Sequence, residues 1–273
     1  KAIRRQRQMC IRDRFSSFYG QTLPLLKRGI PVELVHMENT PFKDTFNGLQ
    51  VLVMSYSNMK PMKSEYHNYL ADWVKKGGTL VYCGEDVDPY QTVLEWWNTA
   101  GNAYKAPSEH LFEAMGLSRN PGDGTYRFGK GTVIVMREDP KHFVLKGGND
   151  RKYFETIVSA YESKTGKKIE IKNNFMVERG PYTIAAVMDE SSSKEPLKLS
   201  GLYIDLFDKD LPVLTVKQIN PGEQGYLYDL NKVLGKVKAK VLCGASRIYD
   251  EKVGKQSYSF VAKSPLHTTN VSR

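Results

Sequence analysis

The chain has 273 residues, 40% of them hydrophobic and 26% charged, with a formal net charge of +10. These are the proportions of a globular chain with room for two domains of ordinary size. No apolar run approaches the roughly 20 residues of a membrane span, and three cysteines, one of them in an atypical first segment, leave no disulfide framework or cysteine metal cluster.

Residues 1–13 do not read as part of a fold. Arg4-Arg5-Gln6-Arg7-Gln8-Met9-Cys10-Ile11-Arg12-Asp13 matches, over ten consecutive codons, a forward-frame translation of a common transposase sequencing adapter. The competing reading is a basic tail for nucleic acid or an acidic surface. The length of the match favours a non-native segment, which is set aside as a cloning scar would be. It holds five cations against one acid, so its removal lowers the net charge from +10 to +6. The remaining lysines are interspersed with Asp and Glu, and no Arg-rich stripe with interleaved aromatics marks a nucleic-acid groove. The expectation is therefore no nucleic-acid partner and no membrane partner. The compartment is left open.

Residues 14–148 alternate helix and buried strand. Phe15 to Arg28 carries apolar residues at helical spacing and is closed by Gly29. Strands are expected at Pro31 to His36, Leu49 to Ser55 and Thr79 to Cys83, the last two apolar enough to be covered on both faces. Between them Ser64 to Lys76 is helical, ended by Gly77-Gly78. Gly-marked helix–strand alternation predicts a flavodoxin-like α/β domain with a parallel sheet. Such a sheet should open with a strand, whereas this domain opens with a helix; the expectation is that its first strand is missing. Two short helices, Gln91 to Ala100 and Ser108 to Met115, precede a hairpin of residues 126–128 and 132–136 around Gly129-Lys130-Gly131.

Residues 149–168 read as a connecting helix, and from 169 to 273 the period changes to two. Segments near Phe175–Glu178, Tyr182–Met188, Leu197–Asp205, Val213–Ile219, Gln224–Asp229, Lys240–Cys243 and Tyr258–Val261 alternate apolar and polar residues. Short strands at this spacing predict an all-β antiparallel sandwich domain. Thr268 to Arg273 reads as the middle of a strand, so both ends are expected to be cut.

Few residues offer chemistry. Cys83 ends a strand within Val81-Tyr82-Cys83-Gly84-Glu85, the place of a nucleophile elbow, where glycines two residues either side permit the strained turn that exposes a thiolate. Val81 and Glu85 stand in for both glycines, and no His-x-Glu follows; the nearest candidates are His110 with Glu113, and His142. A small buried hydrophobe is the favoured reading of Cys83. Glu85, Asp86 and Asp88 could attract a hard cation, but acids ahead of a helix are also favoured by its dipole. Asn58, in Ser55-Tyr56-Ser57-Asn58, should lie on the carboxyl edge of the sheet, where ligands of such folds bind. Trp96, Trp97 and Tyr104 are candidate sugar-stacking rings; core packing is the competing and commoner use of such residues. Asp205, Asp229 and Glu178 show no carboxylate partner at a readable spacing, and a glycosidase needs two. Gly129-Lys130-Gly131 is too short for a phosphate loop. No cofactor or metal is expected.

The elbow position resembles that of class I glutamine amidotransferases, although only the cysteine matches. Leu70-Ala71-Asp72-Trp73-Val74-Lys75-Lys76-Gly77-Gly78-Thr79-Leu80-Val81 and Phe128-Gly129-Lys130-Gly131-Thr132-Val133-Ile134 resemble the non-catalytic C-terminal part of bacterial glycoside hydrolases of the family 42 β-galactosidase type. Arg179-Gly180-Pro181-Tyr182 and Tyr203-Ile204-Asp205-Leu206-Phe207-Asp208 resemble a glycosidase accessory domain. The resemblance implies an amidotransferase-like trimerisation domain followed by a small β domain, downstream of a (β/α)8 barrel that carries both catalytic carboxylates. Its implied partners are that barrel, further copies of the same chain and a carbohydrate substrate. A free-standing hydrolase using Cys83 and a carbohydrate-binding module remain the alternatives.

Overall fold

The computed structural model describes residues 17–145, 149–233, 241–244, 246–267 and 272. They divide into two compact units: one extends to Leu26 and then from Ile30 to Glu170, and the other holds 27–29 and the chain from Ile171. The segment 1–13, Phe15 and Lys240 lie outside the described residues.

The first unit opens with a helix over 17–26 (α1). Among the described residues its sheet has four strands: β1 (Val51–Met54), β2 (Thr79–Cys83), β3 (Gly124–Phe128) and β4 (Gly131–Met136), in the order β1-β2-β4-β3. The first three in that order run parallel, in register through Val53, Val81 and Ile134, and β3 is antiparallel to β4. The helices are α2 (Glu65–Lys75), α3 (Pro107–Ala114), α4 (His142–Leu145) and α5 (Arg151–Thr165).

Alternation along the strands feeds two cores. Leu80, Tyr82, Val133 and Val135 pack with Leu70 and Val74 of α2 and with Leu111 and Phe112 of α3. Val81, Cys83 and Met136 pack on the opposite face with Leu25 of α1, Phe143 of α4, and Tyr153 and Ile157 of α5. Leu70, Leu80 and Leu111 are fully buried, each contributing roughly 2 kcal/mol through loss of apolar surface. The β3–β4 turn is locked onto the end of α2. Lys130 N–H donates to Lys75 O at 2.9 Å, and a Cβ on Gly131 would sit 1.9 Å from Val74 O, which no side chain could tolerate.

The second unit has a five-stranded antiparallel sheet of β5 (Asn174–Arg179), β6 (Tyr182–Val187), β7 (Leu197–Asp205), β8 (Val213–Ile219) and β9 (Gln224–Asp229), ordered β5-β6-β9-β7-β8. A separate pair joins β10 (Arg247–Val253) to β11 (Tyr258–Lys263). The β5–β6 hairpin closes through Gly180-Pro181, with Arg179 facing Tyr182. Gly180 has φ +56°, the left-handed backbone that favours glycine in a two-residue turn. The chain is thus α/β in its first part and β-rich in its second.

Three expectations are corrected. Residues 31–36 form no strand, and Leu34 is 64% exposed: an apolar run becomes a strand only where a neighbour offers its backbone, and among the described residues β1 pairs only with β2. Residues 91–100 are not a helix. A single 3-10 turn, Pro89–Thr92, is followed by bends in which Asn98 bonds to Glu95 N–H and Val93 O, and Asn102 to Trp96 O. Side-chain groups there take the backbone partners a helix would need. Residues 241–243 are not a strand; Gly244 makes an isolated bridge with Ser272, the one described residue of the expected terminal strand. In addition, β10 escaped the alternation analysis because it is exposed along nearly its whole length.

Candidate functional site

Because β1, β2 and β4 are parallel, their carboxyl ends deliver Ser55–Asn58, Gly84–Asp88 and Arg137–Asp139 to one edge of the sheet. This is where α/β folds bind ligands. Two non-glycine residues there hold positive φ, Asn58 at 59° and Asp86 at 58°. Such backbone persists only where surrounding bonds enforce it.

Asp86 is the hub of the edge. Its carboxylate accepts from Tyr82 OH at 2.5 Å, Ser108 Oγ at 2.7 Å and Arg137 Nη1 at 2.7 Å. Arg137 also donates to Gly84 O and to Pro121 O, and its guanidinium lies over the Phe112 ring at 5.1 Å. Burial, reinforced by the Asp86 charge, raises the Tyr82 phenol well above its usual range. Asp88 accepts from Lys60 Nζ at 2.7 Å, Gln91 Nε2 at 2.9 Å and Tyr90 N–H at 3.0 Å. Burial lowers the Lys60 ammonium pKa against the opposing pull of Asp88. Asn58 donates to Ser17 Oγ, which itself donates to Asp139. These carboxylates are occupied by the protein's own donors.

A second polar chain lies inside the first core. Tyr56 OH meets His67 Nε2 at 2.6 Å, and His67 Nδ1 meets His110 Nδ1 at 2.8 Å. Two imidazoles facing through Nδ1 need one donor and one acceptor, so the contact requires at least one of them to be neutral. Burial, and then the neighbouring His110, lower His67 to a pKa of about 3. Trp96 and Tyr104 place their ring edges on His110, and Tyr104 OH donates to Glu113.

The sequence-selected residues fall into three places. Asp86 and Asn58 are at the carboxyl edge, but as structural acceptor and donor. Glu85 is exposed and lines an open cleft of about 380 Å3 with Val87, Asn120, Pro121, Gly122 and Arg137. Arg137 Nη2 is buried there without a hydrogen-bond partner among the described residues. Trp97 is 2% exposed, its indole donating to Gln91 O; Trp96 is half-buried and donates to Pro61 O; Tyr104 is half-buried beneath Arg119. Cys83 is fully buried in the second core and points away from Tyr82, His67 and His110, which belong to the opposite face. Burial, with lesser contributions from Glu138 and Asp123, pushes its thiol far up.

Sequence reasoning missed Arg137, Lys60, Ser108 and His67, and offered His110 only as a candidate base for Cys83. Arg137 directly follows the last residue of an expected strand, so the strand-end rule could have marked it. A lone His on the apolar stripe of α2 carries no such signal. Among the described residues no group of three or more His, Cys, Asp or Glu could hold a metal ion, and no helix is long and apolar enough to cross a membrane.

No family model matches the chain, and no curated relative does. Among solved structures it is similar to a beta-galactosidase from Bacillus circulans sp. alkalophilus, with TM-score 0.47 and 11% identity over 79% of this chain and 37% of that one. It is also similar to a catalytic mutant of a GH42 beta-galactosidase from G. stearothermophilus, with TM-score 0.43 and 13% identity over 78% and 36%. The chain thus spans little more than a third of those structures' length. At these scores the likeness establishes neither family nor function.

Proposed function

We propose that this chain is an accessory, oligomerising region of a carbohydrate-cleaving glycoside hydrolase whose catalytic barrel lies upstream. In this reading the first unit is a flavodoxin-like, glutamine-amidotransferase-like domain without a working nucleophile, and the second is a β-sandwich accessory domain. Its partners are its own barrel and further copies of the chain.

The observation that carries the non-catalytic part is the placement of Cys83. A thiol nucleophile must be exposed, ionised and within reach of a base. Cys83 is buried, its thiol pKa is raised, and the buried His67 and half-buried His110 lie on the other face of its sheet. Asp86 and Asp88, inward-turned acids at the carboxyl edge, are engaged by Arg137 and Lys60. The glycosidase part rests on the sequence resemblance. Its Gly-Gly and Gly-Lys-Gly motifs meet here as one steric lock between α2 and the β3–β4 turn, so their role in this chain is architectural.

The test is to clone the chain with its native upstream sequence. An upstream barrel should hydrolyse aryl-glycosides as an oligomer, and removal of residues 14–273 should dissociate that oligomer. The chain alone should turn over no aryl-glycoside. Absence of an upstream barrel, or glutaminase activity abolished by Cys83→Ala, would replace this reading with that of a free-standing hydrolase.

A further inference from the structure

The second unit carries an aromatic face that the accessory reading leaves unused. Direct cross-strand partners share a face of a sheet, and the register places Arg179, Tyr182 and Tyr228 in one row across β5, β6 and β9. The next row is Val177, Ile184 and Tyr226. The reverse face of β6 and β9, with Thr183, Ala185 and Leu227, is buried; on the near face Val177, Ile184 and Tyr182 are exposed, while Tyr228, opposite the buried Ile204, packs at the margin against the cluster of Ile204, Leu211 and Leu230. Tyr182 stacks on Tyr226 with ring centroids 5.6 Å apart and planes 30° from parallel, and meets Tyr228 edge-on at 5.3 Å. Phe207, from the turn after β7, lies 5.9 Å from Tyr226. Phe207 is 62% exposed and Tyr182 38%.

We propose that this face is a carbohydrate-binding platform that takes the pyranose rings of a neutral oligosaccharide. Aromatic faces bear negative quadrupole density, which attracts the C–H groups clustered on one side of a pyranose. The sugar's equatorial hydroxyls then point sideways and need donors and acceptors around the rim. The phenol hydroxyls of Tyr182, Tyr226 and Tyr228 make no hydrogen bond among the described residues, and Arg179 has no ion-pair partner among them. An apolar protein partner would bury three phenols and a guanidinium unpaired, at a cost of about 1–3 kcal/mol each; a polyol satisfies them. Exposed apolar rings gathered on one face, here Phe207 and Tyr182, mark an interaction surface. The choice of a sugar over another flat polar ligand rests on the glycosidase reading above; the platform itself does not.

The experiment is saturation-transfer NMR and calorimetric titration of the full chain with hexaoses of β-linked galactose, glucose and xylose. At least one should bind with a Kd of roughly 0.1–1 mM, the range of a shallow, preformed site. Phe207→Ala and Tyr182→Ala should each weaken it about tenfold or more, with unchanged circular dichroism. If Tyr182→Ala fails to fold, Phe207→Ala alone decides, since so exposed a ring contributes little to folding. No binding by any hexaose at millimolar protein would overturn the proposal, as would affinity indifferent to Phe207→Ala. A dimer dissolved by Phe207→Asp would assign the face to a second copy instead, and equally overturn it. These outcomes are read without the upstream chain, so they stand or fall apart from the accessory reading.

Discussion

The carboxyl edge of the first unit and the outer sheet face of the second are both rich in groups that bind ligands, yet they are built in opposite ways. At the edge, Asp86 accepts three hydrogen bonds and Asp88 accepts from Lys60, Gln91 and the backbone. Polar capacity there is consumed internally, in partly buried surroundings where an unmade bond is costly. On the aromatic face of the second unit, Tyr182 stacks on Tyr226 and meets Tyr228 edge-on, Phe207 lies against Tyr226, and the phenol hydroxyls have no hydrogen-bond partner among the described residues. Position in a fold where ligands commonly bind therefore does not by itself make a site; what matters is which groups are left over after folding.

The strongest way to break this comparison is to remove the hub. Asp86→Ala should cost about 3 kcal/mol of unfolding free energy, because it strands the Arg137 guanidinium, only 18% exposed, and leaves two hydroxyl donors unpaired. Asp86→Asn, which tolerates the same backbone and keeps one acceptor, should cost less. A loss below 1 kcal/mol in chemical denaturation would show that the edge is not structurally committed and is free to bind.

Next in size is a pH effect from the histidine pair. His67 is neutral in the fold, its pKa lowered by burial and by His110 from the usual 6.5 to about 3. A folded value below the unfolded one means the contribution is complete above about pH 6.5 and is lost as pH falls toward the folded value. Stability should drop by about 2 kcal/mol between pH 6.5 and 5, and His67→Phe should flatten that slope. An identical slope in the variant would remove the pair from the account. The contribution of Glu113, held low first by Tyr104 OH and then by Arg119, is lost only from its ordinary carboxylate range downward, below the window of about pH 5–6.5 in which His67 is read.

Smaller still is Cys83→Ala, expected to cost about 1 kcal/mol as a modest cavity in the second core. In the native protein the thiol should resist a mild alkylating reagent for as long as the fold holds. Labelling within seconds would place it in an accessible elbow and revive the hydrolase reading. Phe207→Ala should change stability least of all, within about 0.5 kcal/mol. A loss of several kcal/mol would mean that the outer face is a covered core, and the contrast between the two regions would disappear.

Much of the fold was legible in the sequence because its signals are local. Period 3.6 with a Gly-Gly stop marks α2, and apolar runs or alternation mark β1, β2 and β4–β9 to within about two residues. The absence of both elbow glycines around Cys83 was equally plain. What no local pattern contains is the choice of neighbour. Residues 31–36 have the composition of a strand but no sheet partner, and 91–100 has helical apolar spacing while Asn98 and Asn102 capture its backbone. Arg137 meets Asp86 across 51 residues and His67 meets His110 across 43. The row of Arg179, Tyr182 and Tyr228 exists only because β9 inserts between β6 and β7. Sequence by itself determined which segments can be helix or strand, since that depends on side-chain periodicity along the chain. Tertiary structure decided which polar groups are consumed and which aromatic rings stay exposed, because both depend on pairings between segments far apart in sequence.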